Sequence, residues 1–111
     1  MDQGDIYLIN LDPAIHTEAG KIRPGIILSI NAMNQNSPRI IVAPITSNVK
    51  KIYPFEVLIP AESSVLSKES KVMVDQLRSC DKRRLIKKLG TLNKEQLTKA
   101  CAIVHKLIST D

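Results

Sequence analysis

The chain has 111 residues, 43% of them hydrophobic and 3% aromatic, and a formal charge of +5. That length accommodates one domain over residues 1–111 and excludes two independent cores, and a basic surplus favours a polyanionic partner. The apolar runs are strand-sized, well below the roughly 20 residues that cross a bilayer as a helix, so no membrane segment is expected. Cys80 and Cys101 have no Cys-x-x-Cys spacing, the histidines do not cluster, and no secretory leader precedes Gly4. The expectation is a soluble, reduced, cytoplasmic protein with two structural cysteines, no metal site and no cofactor.

Residues 5–11, rich in Ile, Leu and Tyr and stopped by Asp12-Pro13, predict a first strand. A polar loop over residues 12–21 leads to Arg23-Pro24 and a second strand over residues 25–30, where proline suits the strand start and forces Arg23 to be extended. The Asn-rich segment 31–38 reads as a loop. Residues 39–43 predict a third strand, residues 55–59 a fourth flanked by Pro54 and Pro60, and residues 71–79 another. Residues 81–86 read as one helical turn capped by Asp81. Beyond Gly90, Asn93 caps a terminal helix with Gln96 reaching back and Leu92 and Leu97 as a hydrophobic staple. Leu97, Cys101, Val104 and Ile108 recur at helical spacing and form its core stripe, while Lys94, Lys99 and Lys106 point elsewhere. Closely spaced strands followed by one helix give a mainly β, α+β chain: a small antiparallel barrel or strongly curved sheet.

Three polar phrases sit at the ends of apolar runs: Gly20-Lys21-Ile22-Arg23-Pro24, Pro44-Ile45-Thr46-Ser47 and Asp75-Gln76-Leu77-Arg78-Ser79. A guanidinium, two hydroxyls and a carboxylate-amide-guanidinium group on a rigid scaffold suit the handling of a phosphodiester. Arg23 can hold two phosphate oxygens with its fork, and Thr46 can donate its hydroxyl to the same group. A second basic stretch, from Arg78 through Lys82, Arg83, Arg84, Lys87 and Lys88, is either a phosphate track or a solvated face. Tyr7, Tyr53 and Phe55 are the only Tyr or Phe side chains and Tyr7 reads as core, so recognition of a nucleic acid would lean on hydrogen bonds rather than stacking.

With Gly4-Asp5-Ile6-Tyr7, Leu11-Asp12-Pro13, Glu18-Ala19-Gly20-Lys21-Ile22-Arg23-Pro24 and the run from Asp75 to Leu85, these phrases resemble the successive signatures of the MazF/PemK (Kid-like) toxin family, in that family's order. The resemblance implies an SH3-like β-barrel with short helices and a homodimer. It also implies a ribosome-independent endoribonuclease that cuts single-stranded RNA, and a cognate antitoxin whose acidic C-terminal segment fills the RNA groove. It places catalysis on Arg23 and Thr46, with Ser47 a weaker neighbour. One branch of the family adds an aspartate, an arginine two residues before it and a loop histidine. Here Asp75 stands in its place, but Met73 and Thr17 occupy the other two, leaving Asp75 and the adjacent His16 as acid or base. Glu18, Gln76 and Arg78 then contact RNA, and residues 45–54 form a candidate groove wall. Two other classes compete: a toxin of related fold that inhibits DNA gyrase through the last helix, and a plain RNA-binding module.

Overall fold

Along the longest strand, apolar residues point alternately to two sides, and both sides are buried. The computed structural model describes residues 1–61 and 66–111. The strands are β1 (Asp5–Asn10), β2 (Ile22–Ile27), β3 (Arg39–Thr46), β4 (Glu56–Ile59), β5 (Ser70–Met73), β6 (Arg78–Asp81) and β7 (Leu85–Thr91), with helices α1 (Asn31–Asn36) and α2 (Lys94–Leu107). Single 3-10 turns at Val74–Gln76 and Lys82–Arg84 link β5 to β6 and β6 to β7. On one side of the sheet Ile6, Ile26, Ala43, Ile45 and Val72 pack with Leu92 and Ala100 beneath α2. On the other, Ile9, Leu11, Ile27, Ile40, Val42 and Cys80 make a smaller core, covered by Tyr7, Ala19 and Leu85. At roughly 1.5–3 kcal/mol for each fully buried aliphatic side chain, this two-sided burial is the main stabilising contribution.

The sheet order is β4-β5-β3-β2-β1-β7, all pairs antiparallel, with β6 also paired to β3. The expected barrel is therefore corrected to a bent sheet that ends on β4 and β7 without closing. Its bend is at β3, one edge of which is shared: Arg39 to Val42 pair with β6, whereas Ile45 and Thr46 pair with β5. Pro44 lies between these two stretches. It has no N–H to give a ladder, so the change of partner falls where a continuous ladder is weakest. The Val74–Gln76 turn occupies this switch point, against β3.

That turn corrects the expectation of one strand over residues 71–79. The second strand also starts at Ile22 rather than residue 25, with Pro24 inside it opposite Leu8. The Asn-rich segment is a short helix, not a loop. It escaped the sequence because its buried residue is polar: Asn34 Nδ2 donates to Ser29 O (2.9 Å), and Ser29 Oγ accepts from Ile41 N (3.0 Å). Edge strand β7 was also unexpected, since Lys87 and Lys88 break its apolar pattern and register shifts interrupt its pairing with β1; lysines on an edge discourage pairing with another sheet. Asp81 and Asn93 cap as expected, accepting from Arg83 N and Gln96 N, but Gln96 does not reach back, its Oε1 being buried with no hydrogen-bond partner among the described residues. The core stripe of α2 holds at Leu97 and Val104, whereas Ile108 is 74% exposed.

Cys80 is 4% exposed, and burial pushes its thiol up despite the opposing fields of Arg78 and Arg84; burial also raises the Cys101 thiol. At pH 7.5 the folded protein is expected to react with iodoacetamide at Cys80 at least about tenfold more slowly than the urea-unfolded chain, with Cys101 ahead of Cys80. Mass spectrometry of timed samples checks this.

Candidate functional site

Antiparallel partners share a face of the sheet and side chains alternate with a period of two. Arg23 is the partner of Ile9, and Arg78 of Val42, both in the smaller core. Thr46 lies two residues beyond Pro44 on β3, as Arg23 lies two beyond Gly25, the β2 partner of Pro44. Arg23, Thr46 and Arg78 thus project from the face opposite α2, around the rim of the smaller core. Each is half-buried.

Arg23 Nε donates to Gly20 O (3.0 Å). Thr46 Oγ1 accepts from Asn48 N (3.2 Å), a local turn that occupies a lone pair and leaves the hydroxyl proton free to be donated. A cleft of about 570 Å³ is bounded by Pro44, two residues before Thr46, and by Ala19, next to the Gly20 that holds Arg23. The loop over residues 12–21 supplies Pro13, Thr17, Glu18 and Ala19 to its wall, and the β5–β6 connection supplies Asp75, Gln76, Leu77 and Arg78. The loop is irregular but fastened at many points. Ala19 N donates to Gln76 Oε1 (2.6 Å), Arg78 Nη1 to Leu11 O (3.1 Å), Arg84 Nη1 to Asn10 O (3.1 Å) and Asp12 O, and Leu11 N to Lys21 O (2.8 Å). Glu18 Oε1 accepts from Ile15 N (2.8 Å), so its carboxylate has a fixed seat at the cleft.

The eight residues singled out in the sequence are therefore divided. Glu18, Asp75, Gln76 and Arg78 line the large cleft. Thr46 and Ser47 line a separate, smaller cavity of about 190 Å³ with Pro24 and Lys68. Arg23 lines neither. His16 is exposed, with φ of 50°, and it is Thr17 beside it that lines the cleft. Lys68 carried no sequence signal, and Pro13 and Thr17 were noted only as a strand stop and as the occupant of the family histidine's place, because loop residues acquire a place at a site only once the chain folds. The basic stretch also resolves into separate parts. Arg78 and Arg84 brace the loop, and Arg83 pairs with Asp81 (3.0 Å), its hydrogen bonds pulling the Asp81 carboxyl down to about 2.

Gly20 is required by space. A Cβ there would lie 2.6 Å from Ala14 Cβ and 2.9 Å from Asp12 Oδ1, the acceptor for Lys21 N. Gly20→Ala is expected to displace the loop at a cost of about 1–3 kcal/mol. Thermal melting and faster amide exchange confined to residues 12–21 check it.

Residues 2–108 match the family model of the PemK-like, MazF-like toxin of type II toxin–antitoxin systems. The chain is 35% identical over 102 residues to Endoribonuclease MazF9 of Mycobacterium tuberculosis, covering 87% of this chain and 86% of that one. It is 38% identical over 98 residues to Endoribonuclease MazF of Staphylococcus saprophyticus, covering 87% and 82%. Its fold superposes on the crystal structure of MazF from Deinococcus radiodurans with a TM-score of 0.86 at 30% identity, over 99% of this chain and 97% of that one. It also superposes on a MazE–MazF structure of the same organism with a TM-score of 0.76 at 28% identity, over 100% and 97%. With the match spanning nearly its whole length, the chain belongs to the PemK-like, MazF-like family of type II toxin–antitoxin toxins.

Proposed function

We propose that this chain is the toxin of a type II toxin–antitoxin pair and an endoribonuclease that cuts single-stranded RNA at particular sequences, without a metal ion and without the ribosome. The observation that carries it is the family match over residues 2–108, joined to relatives named endoribonucleases. The site supports it. A guanidinium and a hydroxyl stand on adjacent strands beside a cleft whose volume, about 570 Å³, falls within the range of ligand sites, about 300–1,000 Å³.

In the reaction, the substrate's own 2′-oxygen attacks the neighbouring phosphorus, an O2′–P bond forms and the P–O5′ bond breaks. The products are a 2′,3′-cyclic phosphate and a 5′-hydroxyl end. Arg23, anchored at Nε by Gly20 O, turns its two terminal nitrogens to the phosphate oxygens, where negative charge grows in the transition state. Thr46 donates its free hydroxyl proton to the same phosphate. One group must accept the 2′-hydroxyl proton and another must supply a proton to the 5′-oxygen. Asp75 takes the acceptor role ahead of His16, because Asp75 lines the cleft and His16 does not. Glu18, Ser47, Gln76 and Arg78 contact RNA, the carboxylate of Glu18 accepting from base amino groups. The protein acts as a homodimer in the cytoplasm, and an antitoxin with an acidic C-terminal segment folds into the groove and blocks it.

The test is to incubate purified protein with a long single-stranded RNA in excess EDTA and to map cut sites and end chemistry. Discrete cuts leaving 5′-hydroxyl ends are expected. Absence of cleavage of several long RNAs by folded protein would overturn the proposal and favour gyrase inhibition or simple RNA binding.

A further inference from the structure

Behind Thr46 lies a buried charge that the chemistry above does not use. Lys71 is the direct partner of Thr46 across the β3–β5 ladder. Its Nζ meets Glu56 Oε1 at 2.9 Å, and the two side chains are only 9% and 5% exposed. The same ammonium donates to Lys51 O (2.8 Å), and the same Glu56 oxygen accepts from Tyr53 N (2.8 Å). Two backbone groups from the middle of the segment 47–55 are thus gripped by one ion pair. That segment begins directly after Thr46 and has no strand or helix of its own to hold it. Its aromatic residues close over the pair: Tyr53 stacks on Phe55 with ring centroids 5.4 Å apart and planes 2° from parallel, and the Lys71 and Lys51 ammonium groups lie 5.6 Å and 4.8 Å from the centre of the Tyr53 ring.

A buried ion pair is a poor device for stability alone, because the cost of removing both charges from water is close to what their attraction returns. What it supplies here is direction: a three-donor ammonium and a carboxylate that accept only one course of the backbone between them. We infer that Lys71 and Glu56 are positioning residues, a clamp that fixes segment 47–55 as a rigid wall and holds Thr46 at its base. The catalytic half of this inference rests on the RNA cleavage proposed above. Releasing the clamp frees Asn48 N from its fixed place on Thr46 Oγ1 and lets the wall move, so turnover falls and the choice of cut site broadens.

Lys71→Met and Glu56→Gln in the full chain test it against wild type, well below the lowest of the three melting temperatures. Three readouts are compared: trypsin cleavage after Lys50 and Lys51, kcat and KM on one RNA oligonucleotide, and the distribution of cuts on a long RNA. Expected for Lys71→Met are trypsin cleavage at least about tenfold faster at these two lysines, a kcat lowered about tenfold with little change in KM, and cuts at sequences the wild type leaves intact. Glu56→Gln, which retains an acceptor for Lys71, is expected to fall between. A variant that only melts earlier, with wild-type digestion, kinetics and cut pattern, overturns the clamp. Should the wild type cut no RNA, the cleavage reading fails and the catalytic half of the inference with it, while the trypsin comparison still decides whether the ion pair holds the segment. If Lys71→Met does not fold, Glu56→Gln carries the same comparison.

Discussion

Arg23→Ala is expected to lower kcat for RNA cleavage by about 10²–10³ and to move the melting temperature by no more than about 2–4 °C. The asymmetry follows from where Arg23 stands. Its side chain is half-buried on the sheet face opposite α2, and its Nε bond goes to Gly20 O in the irregular loop over residues 12–21. That loop keeps its other fastenings, from Gln76, Arg78, Arg84 and Asp12, when Arg23 is removed. The proposed catalysis leans on Arg23 far more: the charge that grows on the phosphate is assigned to its guanidinium, whereas Arg78, also on this face, is held to Leu11 O. Arg23→Lys separates charge from geometry: it keeps the cation but loses the two-pronged hold, and about a tenfold loss is expected. Single-turnover cleavage of a defined oligonucleotide, alongside thermal melting, measures both. A folded Arg23→Ala protein that turns over at the wild-type rate would remove Arg23 from the chemistry and leave Thr46 and Asp75 to explain it.

Much of the sheet was legible because two-sided burial writes apolar runs directly into the chain, as in Ile26 and Ile27 or Ile40 to Ala43. The strand ends were less so, since Pro24 reads as a start and yet sits inside β2. What stayed hidden was structure specified by polar contacts or by breaks in a ladder. Asn34 builds α1 by bonding to Ser29, and Pro44 turns one expected strand into β5, a 3-10 turn and β6. The site follows the same division. Arg23 and Thr46 could be picked out because each ends an apolar run. That Gln76, Arg78 and Arg84 fasten the cleft loop could not be, because their partners are backbone atoms 57, 67 and 74 residues away in sequence. Least legible of all was Lys71, which lies in a strand-like run and looks like an ordinary solvent-facing lysine. Only the register that sets it opposite Thr46, and the fold that brings Glu56 to it, reveal its burial.

Glu56→Ala should be the most destabilising of the single substitutions considered, by about 3–5 kcal/mol, because it leaves the Lys71 ammonium 9% exposed without its counter-ion, held by Lys51 O and the Tyr53 ring. At about 4 °C per kcal/mol for a chain of this size, the melting temperature falls by roughly 12–20 °C. Removing both charges is different in kind. Glu56→Leu combined with Lys71→Met replaces the pair by apolar groups of similar volume, with no unpaired charge left behind, and is expected to recover most of the lost stability. Urea denaturation of Glu56→Leu, Lys71→Met and their combination gives the coupling energy as a double-mutant cycle. A loss below about 1 kcal/mol for Glu56→Ala would mean that the pair behaves like a solvent-screened surface contact and is not buried in solution. The double variant also separates two effects that any single substitution mixes. It is stable, yet it has nothing to grip Lys51 O and Tyr53 N, so its turnover and choice of cut site should remain those of a released wall even though its melting temperature returns toward that of the wild type.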